Sequence, residues 1–147
     1  MDDFGAVDIL LVEDSDPDAE MTTRALRKGG LVNRLVRVRD GVEALEFVFR
    51  EGPWSTRGST QPKLILLDLK MPRLGGIDVL RRLKSDQRTQ ALPVVMLTSS
   101  AEEQDIVESY NLGVNSYLVK PVAFADFTDV ITHTGLYWAV MNRVPHR

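Results

Sequence analysis

The sequence predicts an α/β domain built on a five-stranded parallel sheet in the order 2-1-3-4-5, with helices on both faces. Short, unbroken apolar runs recur along the chain: Ile9-Leu10-Leu11-Val12, Leu64-Ile65-Leu66-Leu67, Val94-Val95-Met96-Leu97 and Tyr117-Leu118-Val119. Strands buried on both faces of a parallel sheet have this composition. Segments with apolar residues three and four apart alternate with these runs, as crossover helices do. With five strand–helix units, the doubly wound 2-1-3-4-5 order has its switch point between the first and third strands.

The elements follow from local signals. Asp16-Pro17 opens the first helix, with proline near the first turn and acids favouring the helix dipole. Ala19, Thr22 and Leu26 share a face, and Gly29-Gly30 ends the helix. Leu35-Val36-Arg37-Val38 alternates, as a strand near a sheet edge does. Val42, Leu45, Val48 and Phe49 mark the second helix, and Gly52-Pro53 through Pro62 reads as an exposed loop. Met71-Pro72-Arg73-Leu74-Gly75-Gly76 is irregular and leads to a helix with Ile77, Leu80 and Leu83 inward. Glu102 to Leu112 makes a modest helix with Ile106 and Tyr110 on one side, stopped at Gly113. The last helix is expected from about Phe124 to Met141, with Phe124, Phe127, Val130, Ile131, Thr134 and Trp138 as its stripe.

Composition narrows the function classes. A chain of 147 residues, 44% apolar and 27% charged, suits one globular domain and is short for two. No apolar run reaches membrane-spanning length, and the acidic start MDDFGAVD is unlike a signal peptide. Absence of cysteine excludes disulfides and thiolate metal sites and fits a cytoplasmic protein. A net charge of −3 gives no global reason to expect nucleic acid or an anionic membrane as partner. The local clusters Arg34/Arg37/Arg39 and Arg81/Arg82/Lys84 read as solvated faces.

Chemistry gathers where the core runs end. The first run enters Glu13-Asp14, the second Asp68, the third Thr98-Ser99-Ser100 and the fourth Lys120-Pro121. Ligands of open α/β sheets bind beyond the carboxyl ends of the strands. Three carboxylates on one rim repel unless protonated or bridged by a cation, and Mg2+ takes carboxylates, water and phosphate together. A carboxylate can attack phosphorus to give an aspartyl phosphate, a hydroxyl such as that of Thr98 can bond a phosphoryl oxygen, and an ammonium such as that of Lys120 can offset its charge.

Taken in order, Leu11-Val12-Glu13-Asp14, Leu67-Asp68-Leu69-Lys70-Met71-Pro72 with Gly75-Gly76, Leu97-Thr98-Ser99-Ser100 and Tyr117-Leu118-Val119-Lys120-Pro121 resemble the receiver domain of two-component response regulators. The resemblance covers about residues 7 to 142 and implies a flavodoxin-like receiver fold with flexible tails at 1–6 and 143–147. It implies that Asp68 accepts a phosphoryl group from a sensor histidine kinase. It assigns Mg2+ to Asp14, Asp68, the backbone carbonyl of Lys70 and, through water, Glu13. Lys120 would pair with the phosphoryl group, the Lys120–Pro121 bond would be cis, and Thr98 and Tyr117 would be the switch pair. The chain is expected to stand alone without an effector domain and to act as a phosphoacceptor rather than an enzyme on external substrates. The loop before Pro62, the run Ser109 to Tyr117 and Gly135-Leu136-Tyr137-Trp138 most resemble small receivers that partner bacterial phytochrome kinases. Output would pass through the fourth-helix, fifth-strand and fifth-helix face, as a homodimer with Tyr110, Tyr137, Trp138 and Met141 as candidate anchors.

Three other readings share some of these features. Haloacid-dehalogenase-type phosphatases use an aspartyl phosphate, but their second acid would fall at Lys70. A flavodoxin-like FMN binder shares the topology, but Glu13-Asp14-Ser15-Asp16 would repel the flavin phosphate. A receiver-fold docking module that acts without phosphorylation stands as the third. His133 and His146 suggest neither a metal pair nor a phosphorelay site.

Overall fold

The computed structural model describes residues 7–31, 34–58, 60–109 and 111–141. Five parallel strands, β1 (Ile9–Val12), β2 (Leu35–Val38), β3 (Leu64–Asp68), β4 (Val94–Thr98) and β5 (Ser116–Val119), pair in the order β2-β1-β3-β4-β5. The helices are α1 (Asp16–Lys28), α2 (Gly41–Phe49), α3 (Gly76–Lys84), α4 (Ala101–Ser109), α5 (Phe124–His133) and α6 (Tyr137–Met141).

The alternation of side chains along each strand feeds two cores. Leu10, Val12, Ile65, Leu67, Val94 and Met96 pack on one face with Phe47, Leu80 and Val107. Ile9, Leu11, Leu64, Leu66, Val95 and Leu97 pack on the other with Leu26, Phe127 and Ile131. Every residue of β1, β3 and β4 is buried, and full burial of such aliphatic side chains stabilises by roughly 1.5–3 kcal/mol each. Register places Val12 beside Leu67, Asp68 beside Leu97 and Thr98 beside Val119, so the strand ends share one rim.

Two contacts fix the loops of that rim. Gly76 opens α3 so close beneath β3 that a Cβ there would collide with the Asp68 carbonyl. Arg73 in the preceding loop takes a left-handed φ of 66° and donates its Nε to Asp40 at 2.7 Å, at the N-cap of α2.

Several expectations need correction. The final helix is not continuous: α5 ends at His133, and Gly135 at φ 78° turns the chain before α6. On α2 the buried residues are Gly41, Ala44, Phe47 and Val48, so Val42, Leu45 and Phe49 lie on its flanks. On α3 Val79 is buried with Leu80 and Leu83, and Ile77 packs against the same core only partly buried. On α4 Val107 is buried and Ile106 is 50% exposed, a one-residue error of phase in a short helix. The loop Gly52 to Pro62 is partly folded inward: it begins as a 3-10 turn, Trp54 packs edge-on against Phe47, and Arg57 stacks on that ring. Met141 is buried beside Val140 and is no exposed anchor, while Tyr137 packs partly against the same core. Tyr110, the tails 1–6 and 143–147, and residue 142 lie outside the described residues, as does the Trp138 side chain.

Candidate functional site

The acidic cluster is built by chain geometry at the switch point. β1 ends at Val12, and Glu13 is pinned there by its N–H donating to the Val38 carbonyl at 3.0 Å. Arg37 on β2 donates to the Glu13 carbonyl and to the Asp16 carboxylate, each at 2.8 Å, holding the start of α1 from behind. Ser15 caps α1 by accepting the Asp18 N–H at 3.2 Å, while its own N–H donates to Glu13 Oε2. Carboxylate oxygens of Glu13, Asp14 and Asp68 thus lie within 4.8 Å of one another, with Glu13 and Asp68 buried and Asp14 exposed.

Among the described residues, one ammonium reaches this cluster. Lys120 Nζ lies 3.1 Å from Asp68, 3.2 Å from Glu13 and 3.2 Å from Asp18. Burial, reinforced by the nearby Glu13 charge, pushes the Asp68 carboxyl up to about 7, although Lys120 pulls the other way. For Lys120 burial works against the charged form, but the charge and hydrogen bond of Asp68, then Glu13 and Asp18, win and raise its hold on its proton. The Lys120–Pro121 peptide is cis.

Thr98 is fully buried, and among the described residues its Oγ1 has no hydrogen-bond partner. A buried hydroxyl left unpaired is costly, so this group is suited to a ligand oxygen delivered to the rim. Tyr117 stands half-buried on β5 against the α2–α3–α4 core, and burial raises its hydroxyl pKa, with Glu108 adding to the effect. Lys70 turns outward: 79% exposed, it pairs with Glu103 at 3.1 Å. The other Glu103 oxygen accepts the Ser99 N–H at 2.7 Å, and Ser100 Oγ accepts the Glu103 N–H, which ties the start of α4 to the loop after β4.

All the carboxylates expected from the sequence are brought together, and Lys120 joins them. Asp18 and Glu103 were missed. An acid in the first turn of a helix reads as a cap or dipole residue, and nothing local to Asp18 signals a lysine 102 positions away. The three-oxygen donor set, with one exposed member open to solvent, fits a hard divalent cation that keeps water ligands.

Comparison with known proteins agrees. The response regulator receiver domain model matches residues 9–132. The bacteriophytochrome response regulator RtBRR is 48% identical over 95% of this chain and 85% of that one, with a TM-score of 0.87. Response regulator Rcp1 of Synechocystis is 36% identical over 93% of this chain and 92% of its own length. The Mn2+-bound form of Rcp1 superposes with a TM-score of 0.71, at 33% identity, over 97% of this chain and 99% of that one. The probable methanogenesis regulatory protein FilR2 of Methanothrix harundinacea is 38% identical over 93% of this chain and 86% of its length. With its sheet order, acidic rim, lysine and threonine in these places, the chain belongs to the response regulator receiver domain family.

Proposed function

We propose that this receiver takes a phosphoryl group onto Asp68 from a sensor histidine kinase of the bacterial phytochrome type. The observation that carries the reading is the buried Asp68 carboxyl, grouped with Glu13 and Asp14 and 3.1 Å from Lys120, on the same rim as the Thr98 hydroxyl, which has no hydrogen-bond partner among the described residues. An Asp68 oxygen attacks phosphorus, the bond from phosphorus to the donor histidine nitrogen breaks, and its electron pair stays on the imidazole. Lys120 offsets phosphoryl charge, and Thr98 donates its hydroxyl to a phosphoryl oxygen. Asp14 and Asp68, with Glu13 through water, would hold Mg2+, the Lys70 backbone carbonyl completing the protein ligands; the ion supplies charge neutralisation for the transfer.

Movement of Thr98 and Lys120 toward the phosphoryl group opens space for Tyr117 and changes the face formed by α4, β5 and α5. Taking a nearly empty state to a nearly full one needs about 5.5 kcal/mol. A few charge-assisted hydrogen bonds at roughly 1.5–3 kcal/mol each supply that bias. Ile106 on α4 and Val119 on β5, 50% and 52% exposed, give this face apolar area for a twofold homodimer. The protein then works in the cytoplasm as a phosphoacceptor, with residues 7–142 as its receiver. Likeness to RtBRR and Rcp1 supports the phytochrome partner.

The test is labelling with a small acyl phosphate followed by intact mass. One phosphoryl group is expected with Mg2+, and none with a chelator or in Asp68→Asn. Full labelling of Asp68→Asn would reject the assignment.

A further inference from the structure

We propose that Asp18 is a donor-selecting residue: its carboxylate, 3.2 Å from Lys120, favours phosphoryl donors that carry a positive ring, as in N-phosphoryl imidazolium, over anionic acyl phosphates. This rests on Asp68 being the phosphoacceptor. A cleft of about 210 Å³ is lined by Asp18, Met21, Thr22, Ser99, Lys120 and Pro121. Lys120 in that lining lies 3.1 Å from Asp68 and is shared among three carboxylates, whose exposure separates them. The Glu13 and Asp68 side chains are 1% and 7% exposed, whereas Asp18 is 35% exposed. Asp18 is therefore the partner of Lys120 that an incoming donor meets from solvent. Met21, 49% exposed, supplies an apolar wall against which a flat ring can lie.

The two donor classes differ by one unit of charge on the departing group: the ring goes from positive to neutral, the acyl group from neutral to anionic. In the imidazole donor one ring nitrogen bears phosphorus and the other bears a proton. When Asp68 attacks, the phosphorus–nitrogen bond breaks, the electron pair stays on that nitrogen, and the ring departs neutral with its proton in place. In the transition state the ring keeps part of its positive charge, so relative to free donor Asp18 lowers the barrier. In an acyl phosphate the pair passes to the acyl oxygen, which departs as a carboxylate anion beside Asp18. Coulomb interaction with the same side chain thus changes sign between the classes, and its partial exposure keeps the effect modest.

Initial labelling rates from acetyl phosphate and from N-phosphoimidazole, at matched Mg2+, provide the test. In Asp18→Asn, acetyl phosphate labels faster and phosphoimidazole slower, so the ratio of the second rate to the first falls about fivefold. Asp18→Glu restores the wild-type ratio. Because both donors act on the same protein sample, a change in folding or metal affinity moves both rates together and leaves the ratio alone. An unchanged or inverted ratio overturns the proposal. Asp68→Asn, run alongside, stays unlabelled by both donors; its labelling would instead remove the phosphoacceptor reading.

Discussion

The three central strands and the β5 edge of the sheet are held to different degrees. β1, β3 and β4 are buried at every position, and Glu13, Asp68 and Thr98 stand directly at their ends. Beside them, β5 buries only Leu118 fully, and Val107 is the buried residue among those described on α4. Chemistry that needs fixed distances rests on the part with most apolar contact, and the surface that must rearrange rests on the part with least. β5 pairs with β4 from Val95 beside Ser116 to Thr98 beside Val119, Lys120 at its end reaches Asp68 and Glu13, and the Lys70–Glu103–Ser99 link ties the loops.

Core truncation should expose that contrast most strongly. Leu66→Ala is expected to cost about 2–5 kcal/mol in urea unfolding, because Leu66 is fully buried in the central sheet. Ile106→Ser on α4 should stay within about 0.5 kcal/mol. Comparable losses at the two sites would erase the distinction.

The acidic rim comes next, through its strain without a cation. Asp68 in the folded protein holds its proton up to about 7, against an ordinary 3.8 when unfolded. Between those values the native state binds more proton, so this group's contribution to stability falls as pH rises through the window. The displacement sets a ceiling of about 4 kcal/mol, and loss of the Lys120 pairing in a mutant reduces what is recovered. Asp68→Asn should therefore stabilise the Mg2+-free protein by about 2 kcal/mol at pH 8 and by little at pH 4. Melts in chelator at both pH values check the sign.

The smallest effect sharpens the view of the coupling. Glu103→Gln keeps an acceptor for the Ser99 N–H but deletes the exposed ion pair with Lys70, and should cost less than about 0.5 kcal/mol. Glu103→Ala loses both contacts and should cost about 1 kcal/mol in the same unfolding assay.

Legibility in the sequence followed the same division. Ile9 to Val12, Leu64 to Leu67 and Val94 to Leu97 were readable because burial on both faces leaves no polar interruption, and the sheet order followed from the number of strand–helix units. The rim was readable because strand ends in such sheets converge. Ile106 and Val107 were confused because nine residues of α4 contain too few apolar positions to fix a phase. The break before α6 was missed because apolar spacing ran on across Gly135; the glycine itself was the available stop signal, and it takes a positive φ. Asp18 was hidden for another reason: its partner Lys120 reaches it from the turn after β5, a tertiary placement that local pattern does not carry.

The most direct measurement is chemical mapping of the labelled residue. Borohydride reduces an aspartyl phosphate to homoserine, so the Mg2+-dependent labelled protein, reduced and digested, should yield homoserine at position 68 and aspartate at 14 and 18. Homoserine at 14 or 18, or a label that survives reduction on a serine or threonine, would contradict the assignment of the phosphoryl group to Asp68.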